Sequence, residues 1–150
     1  MLKKKIIIFS LILFLTNCGF TPVYLNNAKI NFSIEQVNYV GDRELNNFLK
    51  TNLSRYKNIN NNKKIFIETN TKYEKIVLSK DVTGKATSYQ LVAEVIFLIK
   101  PNNKKIVVTE KKIMDSMNDN FEENRFERST KQIFASLMSS KLISELIVNK

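Results

Sequence analysis

The chain has 150 residues, with 24 lysines and arginines against 14 aspartates and glutamates, a formal charge of +10, no histidine and one cysteine. The absence of histidine removes the commonest general base and metal ligand, and a lone cysteine excludes an internal disulfide. The three glycines stand apart at 19, 41 and 84, so there is no glycine-rich phosphate loop.

The first segment is Met1-Leu-Lys-Lys-Lys5, followed by Ile6 to Leu15, apolar except for Ser10. Ten residues span about 15 Å as a helix, roughly half the hydrocarbon thickness of a bilayer. A positive stretch before a short apolar run is the layout of a secretory signal. Leu15-Thr16-Asn17-Cys18 then resembles a bacterial lipobox, in which the thiol receives a diacylglycerol. Cleavage leaves Cys18 as the new N-terminus, which is acylated in turn. Asn17 departs from the usual small residue before the cysteine, and Gly19 lacks the aspartate associated with inner-membrane retention. Several acyl chains anchor firmly where one is marginal. The expected organisation is a signal peptide over 1–17, a lipidated tether over 18–29 and one domain over 30–150. Without Lys3, Lys4 and Lys5, 21 basic and 14 acidic side chains leave +7. That favours an anionic partner. Nucleic acid conflicts with export, and only 4 of the basic residues are arginine, so bidentate phosphate forks are scarce.

Ile30, Phe32 and Ile34 alternate and predict a strand near 30–39; the phase changes before Val37, as at a bulge. Asp42 is a helix cap with Glu44 in the first turn. Leu45, Phe48, Leu49, Leu53 and Tyr56 mark the apolar face of a helix of about four turns. Residues 58–64 read as a loop. Ile65, Ile67, Thr69, Thr71 and Tyr73 share one face of a second strand. A turn at 80–85 leads into the longest clean alternation, Tyr89, Leu91, Ala93, Val95, Phe97 and Ile99. Pro101 to Asn103 ends that strand, and the next runs from Ile106 to about Ile113. The opposite face of the long strand carries Val92, Ile96 and Leu98 beside Gln90 and Glu94, more apolar than a solvated face. A helix follows from about Glu123 to Val148. Its packing face is read from Ile133 with Leu137, and from Phe134, Met138, Leu142 and Leu146, widened by Ile143 and Ile147. The order β-α-β-β-β-α predicts a two-layer α+β sandwich: a four-stranded, mainly antiparallel sheet with two helices on one face.

Catalytic chemistry is thinly supplied. Asp115, Asp119, Glu122 and Glu123 lie in a polar segment before a helix, where N-terminal charge and solvation account for them. The expectation is a protein that is not an enzyme and holds no metal or cofactor beyond the diacylglycerol and N-acyl chain on Cys18.

With the lipobox followed by Gly19-Phe-Thr-Pro-Val-Tyr24, the chain resembles the lipopolysaccharide-assembly lipoproteins of the LptE family, whose mature ends often read Cys-Gly-Phe-x-Pro-Leu-Tyr. Gly84-Lys-Ala-Thr-Ser-Tyr89-Gln-Leu91 matches a second run common in that family, and the element order fits. The resemblance implies an outer-membrane lipoprotein, on the periplasmic side, that plugs and supports the LptD-type β-barrel translocon and assists lipopolysaccharide assembly. Its implied partners are that barrel, lipopolysaccharide, and membrane lipid through the acyl anchor. It also implies lipopolysaccharide contacts through basic groups near the turn before the tyrosine motif and before the last helix. Those positions fall here on Lys80, Lys85 and Arg125. The competing reading is another lipid-anchored binding or scaffold lipoprotein, for example in phospholipid transport.

Overall fold

A computed structural model describes residues 30, 32–57, 59 and 63–148. Its elements are β1 (Ser33–Gly41), α1 (Arg43–Leu53) with a 3-10 turn at Ser54–Tyr56, β2 (Lys64–Lys80), β3 (Ala86–Lys100), β4 (Lys104–Asp115) and α2 (Asn120–Val148). The sheet order is β1-β2-β3-β4. β1 and β2 are parallel, joined across α1, while β2, β3 and β4 form an antiparallel meander. The expected β-α-β-β-β-α sandwich is therefore the observed architecture.

Each strand follows from its pattern. The register of β1 slips between Ile34 and Gln36, where the phase of the sequence changes, and this keeps both Ile34 and Val37 buried. On β2, Ile65, Ile67, Thr69 and Thr71 face inward and are buried. On β3, Leu91, Ala93, Val95 and Phe97 have no exposed surface. Across the sheet, Val95 lies between Thr71 and Val108, and Phe97 between Thr69 and Ile106. β4 runs two residues beyond its expected end, so Met114 joins the core opposite Tyr89.

The passage from β1 into α1 is tightly built. Gly41 has φ +102°, and a Cβ there would lie 1.9 Å from the carbonyl oxygen of Thr71. That close approach lets the Asp42 N–H donate to the same oxygen at 3.2 Å. The Thr71 hydroxyl donates to the Val40 carbonyl at 3.1 Å and reaches Asn46 Oδ1 at 3.0 Å. Asp42 then caps α1, its Oδ1 accepting from the Leu45 N–H at 2.7 Å, with Glu44 in the positive first turn. Leu45, Leu49 and Leu53 are fully buried, and Phe48 and Tyr56 pack against them half-buried. Each such leucine contributes about 2 kcal/mol by leaving water.

The long helix corrects one expectation. Phe134, Met138, Leu142, Ile143 and Leu146 are buried as read, but Ile133 and Leu137 are 45% and 49% exposed. The buried stripe instead includes Thr130, Lys131, Ala135 and Ser139. Lys131 reaches the start of α1, pairing with Glu44 at 3.1 Å and Asp42 at 3.7 Å. Packing against α1 as well as the sheet thus rotates the helix and leaves the Ile133–Leu137 row outside. α2 also begins at Asn120, three residues before its expected start.

Candidate functional site

β1 stops opposite Thr71 and β4 stops opposite Ser88, so the end of the β2–β3 hairpin stands clear as a two-stranded ribbon. Its tip is a self-contained turn. The Asp81 N–H donates to the Lys85 carbonyl at 2.8 Å, and the Gly84 N–H donates to the Asp81 carbonyl at 3.0 Å. Asp81 Oδ1 accepts from the Thr83 N–H at 2.8 Å, the Thr83 hydroxyl at 2.6 Å and the Lys85 N–H at 3.0 Å. Gly84 supplies the left-handed position, at φ +87°. The Thr83 hydroxyl, chiefly, holds the Asp81 carboxyl below the usual carboxylate range.

The turn thus uses its only carboxylate internally. Lys80 and Lys85, one on each side, are exposed, and neither makes an ion pair among the described residues. Between them Val82 is fully exposed, and below them Ile76, Val77 and Leu78 are each more than 40% exposed. The Ser79 hydroxyl ties the two strands, lying 2.6 Å from both the Thr87 and Ser88 hydroxyls. The result is a cationic tip with an apolar crest and stem. The sequence held signals for it. Ile76-Val77-Leu78 is a continuous apolar run without alternation, and Asp81-x-Thr83-Gly84 is an Asx-turn pattern.

The base of the ribbon is clamped to α2. Lys75 lies 2.6 Å from Glu123 and 3.3 Å from Glu127, with its ammonium 4.5 Å above the Tyr89 ring. This hydrogen bond to Lys75 is the main reason the Glu123 carboxyl sits below its usual range. Lys112 lies 4.7 Å over Phe126. The Gly84–Leu91 run thereby acquires a structural meaning: a turn glycine, a tyrosine under the clamp, and a buried leucine.

Arg125 does not join the tip. It pairs with Glu122 at 3.2 Å and stacks 5.9 Å over Phe121. Its neighbours Glu123 and Glu127 hold Lys75, five residues before Lys80, which places the tip roughly 17 Å further along the strand. The fold therefore brings Lys80 and Lys85 together and leaves Arg125 at the base. Cys18 lies outside the described residues.

The four carboxylates considered for chemistry do not converge. Asp119 accepts from the Phe121 N–H at 2.7 Å and Glu122 holds Arg125. Glu123 holds Lys75, and Asp115 ends β4. Among the described residues no group of three histidines, cysteines or carboxylates is placed to hold a metal. No described helix is long and apolar enough to cross a membrane. A shallow concavity between α1 and α2 is lined by Asn52, Arg55, Tyr56, Ser136, Ser139 and Ser140. Its one cation, Arg55, already donates to the Asn52 carbonyl at 3.2 Å.

The sheet face away from the helices is uncovered by any described element. Its rows read Val40, Asn70, Ile96, Val107 and Asn38, Glu68, Leu98, Lys105. Val40, Phe66, Val107 and Ile113 are each more than 40% exposed.

An open four-stranded mixed sheet with two helices on one side is a fold found in solved bacterial lipoproteins. The chain is similar to rare lipoprotein B from Shewanella oneidensis, with 15% identity over 77% of this chain and 100% of that one, at a TM-score of 0.52. It is also similar to a minor lipoprotein from Acinetobacter baumannii, with 16% identity over 77% of this chain and 92% of that one, at 0.54. The third is lipoprotein B from Nitrosomonas europaea, with 13% identity over 76% and 83%, at 0.51. At such identities the likeness is one of fold. No family model matches the chain, and no curated protein matches it.

Proposed function

We propose that this chain is a lipid-anchored outer-membrane lipoprotein that plugs and supports a lipopolysaccharide-translocon barrel and assists lipopolysaccharide assembly. The observation that carries this reading is the shared fold with bacterial lipoproteins over nearly their whole length, in a chain whose only cysteine ends a Leu15–Cys18 lipobox. In this reading acyl chains on Cys18 hold the domain at the membrane. The preformed α+β body occupies the barrel. The hairpin tip offers Lys80 and Lys85 to the anionic head of lipopolysaccharide, two cations against the single Asp81 carboxylate, which is directed into the turn. Competing positive charge weakens the contacts between neighbouring lipopolysaccharide molecules. Arg125, already paired with Glu122, contributes less than the two tip lysines.

A detergent pull-down of the tagged chain from native outer membrane, with mass spectrometry of bound proteins and of the N-terminus, tests this. A large barrel at near-equal stoichiometry and an acylated Cys18 are expected. An acylated Cys18 without a barrel would return the chain to the class of general envelope-scaffold or phospholipid-transport lipoproteins. An uncleaved N-terminus would remove the anchor from the reading. For the tip, Lys80→Glu with Lys85→Glu is expected to weaken lipopolysaccharide binding more than Arg125→Glu does; equal or absent effects would refute the role given to the lysines.

A further inference from the structure

The two edges of the sheet are treated differently. β1 is short, parallel, bulged between Ile34 and Gln36, and bridged on its outer side by Lys57. These are devices that blunt an edge against further pairing. β2 beyond Thr71 also lacks an outer neighbour, but its register breaks between Val77 and Ser79, and its Lys72 and Lys75 are held by Glu74, Glu123 and Glu127. β4 is neither bulged, bridged nor interrupted; what it carries is lysine, at 104, 105, 111 and 112, which deters pairing with another cationic edge but not with an acidic one. Its twelve residues pair with β3 in unbroken register from Lys104 to Asp115, it contains no proline, and no described element pairs with its outer side.

The charges on β4 divide by face. The helix-side lysines are engaged: Lys104 pairs with Glu145 at 3.1 Å and Lys112 covers Phe126. The open-face lysines, Lys105 and Lys111, have no carboxylate within 4.0 Å among the described residues. Lysines on the same face of β2 and β3 are matched, Lys72 to Glu74 and Lys100 to Glu68. On the open face Lys105 and Lys111 thus flank an uncharged, β-branched row, Val107 and Thr109, while Glu110 lies on the helix side opposite Ala93; Val107 is 47% exposed. A second copy pairing antiparallel about Val108 would set Lys105 against Lys111 and Lys104 against Lys112, like charge directly opposite like.

From this geometry we infer that β4 accepts an added strand from a protein partner, an extended segment with carboxylates in phase with Lys105 and Lys111. On an added strand the residues sharing the open face recur at every second position. The partner segment therefore reads acidic, x, apolar, x, apolar, x, acidic, with the apolar pair beside Val107 and Thr109. Main-chain hydrogen bonds to the free edge supply affinity, and the two charge pairs supply register. The inference does not depend on lipidation or on a barrel.

The test uses the full chain in detergent and a synthetic peptide, Ser-Glu-Thr-Val-Thr-Val-Thr-Glu-Ser, which reads the same in both directions and so presents its carboxylates in either orientation. Expected are saturable binding, slowed hydrogen exchange at alternate β4 amides, and no binding of a scrambled peptide of the same composition. Lys105→Glu with Lys111→Glu, its fold checked by circular dichroism, weakens binding roughly tenfold, and replacing both peptide glutamates by lysine restores it. On the unaltered chain, N-methylating the two valines and N-methylating the three threonines have unequal effects, because only one set of amides faces β4. Equal effects of the two sets would mean that side-chain charge alone binds the peptide, and would overturn the inference. So would no binding, a β4-paired dimer of the chain, or outer β4 amides already protected in the free chain.

Discussion

Gly41→Ala probes the β1–α1 junction, and Gly84→Ala is its internal control. Both positions have positive φ, so both substitutions incur about 1–2 kcal/mol of left-handed strain. They differ in surroundings. A Cβ at Gly84 meets nothing within 4 Å, whereas one at Gly41 falls 1.9 Å from Thr71 O and 2.8 Å from its carbonyl carbon. The second overlap is with backbone, so β1 or β2 has to shift. That shift breaks the Asp42 N–H to Thr71 hydrogen bond and disturbs the Thr71 hydroxyl bonds to Val40 and Asn46, at about 1 kcal/mol each. The expected loss is about 4 kcal/mol for Gly41→Ala and about 1 kcal/mol for Gly84→Ala, the latter reduced by the entropy that alanine removes from the unfolded chain. A domain of this size has only about 5–15 kcal/mol in total. In equilibrium urea unfolding followed by circular dichroism, 4 kcal/mol moves the midpoint down by about 2 M. Midpoints for the two variants within about 0.5 M of each other would refute the steric reasoning.

Lys131→Met tests the buried clamp between the helices. Its ammonium pairs with Glu44 and Asp42 and lies 4.1 Å from the Tyr73 ring, so removal takes the cation from Asp42 and leaves Glu44 only the exposed Arg128 at 3.5 Å, and a loss of about 2–3 kcal/mol in urea is expected; an unchanged midpoint would count against it. The Thr69 hydroxyl is buried without a hydrogen-bond partner, so Thr69→Val is expected to keep or raise stability by up to about 1 kcal/mol, and a clear loss would show that the hydroxyl is bonded after all. Burial pushes the Tyr39 hydroxyl up to about 12, and burial followed by the Glu127 carboxylate raises Tyr73 as well. Raised values mean that this share of stability is intact below the unfolded tyrosine pKa of about 10 and is lost as pH climbs through the folded values. Native phenolate absorbance should show Tyr39 and Tyr73 ionising last, and Tyr39→Phe with Tyr73→Phe should flatten the alkaline fall in stability. Glu123, lowered chiefly by Lys75, acts in the opposite sense. Its contribution is present above the ordinary glutamate range and disappears as pH falls through the lowered value, and Glu123→Gln should blunt that acid loss.

Much of the fold was legible because its elements are strongly periodic. The Leu45, Leu49, Leu53 row fixes α1, the alternation from Leu91 to Ile99 fixes β3, and the phase change between Ile34 and Val37 marks the bulge. What could not be read locally depends on partners distant in the chain. The rotation of α2 is set by Lys131 meeting Glu44, 87 positions away, so a helix with more apolar residues than one face can bury gave no sign that Ile133 and Leu137 stay outside. Lys75 and Glu123 are 48 positions apart, and nothing in either segment announces the clamp. At the candidate site, Lys80 and Lys85 were placed together by a short turn that the sequence spells out. The separation of Arg125 from them depends on how far the ribbon runs past the helices, which only the pairing register reveals.

The ribbon beyond Ser88 belongs to the body by covalent continuity and a clamp at its root, while its own turn is closed by bonds it makes to itself. The rest of the domain is therefore indifferent to which side chain crowns it. Residues at Val82 and the two flanking lysines are free to drift with the chemistry of whatever they meet, at little risk to folding. A fluorophore or photoreactive group placed at the fully exposed Val82 would report on that end of the molecule without disturbing the other.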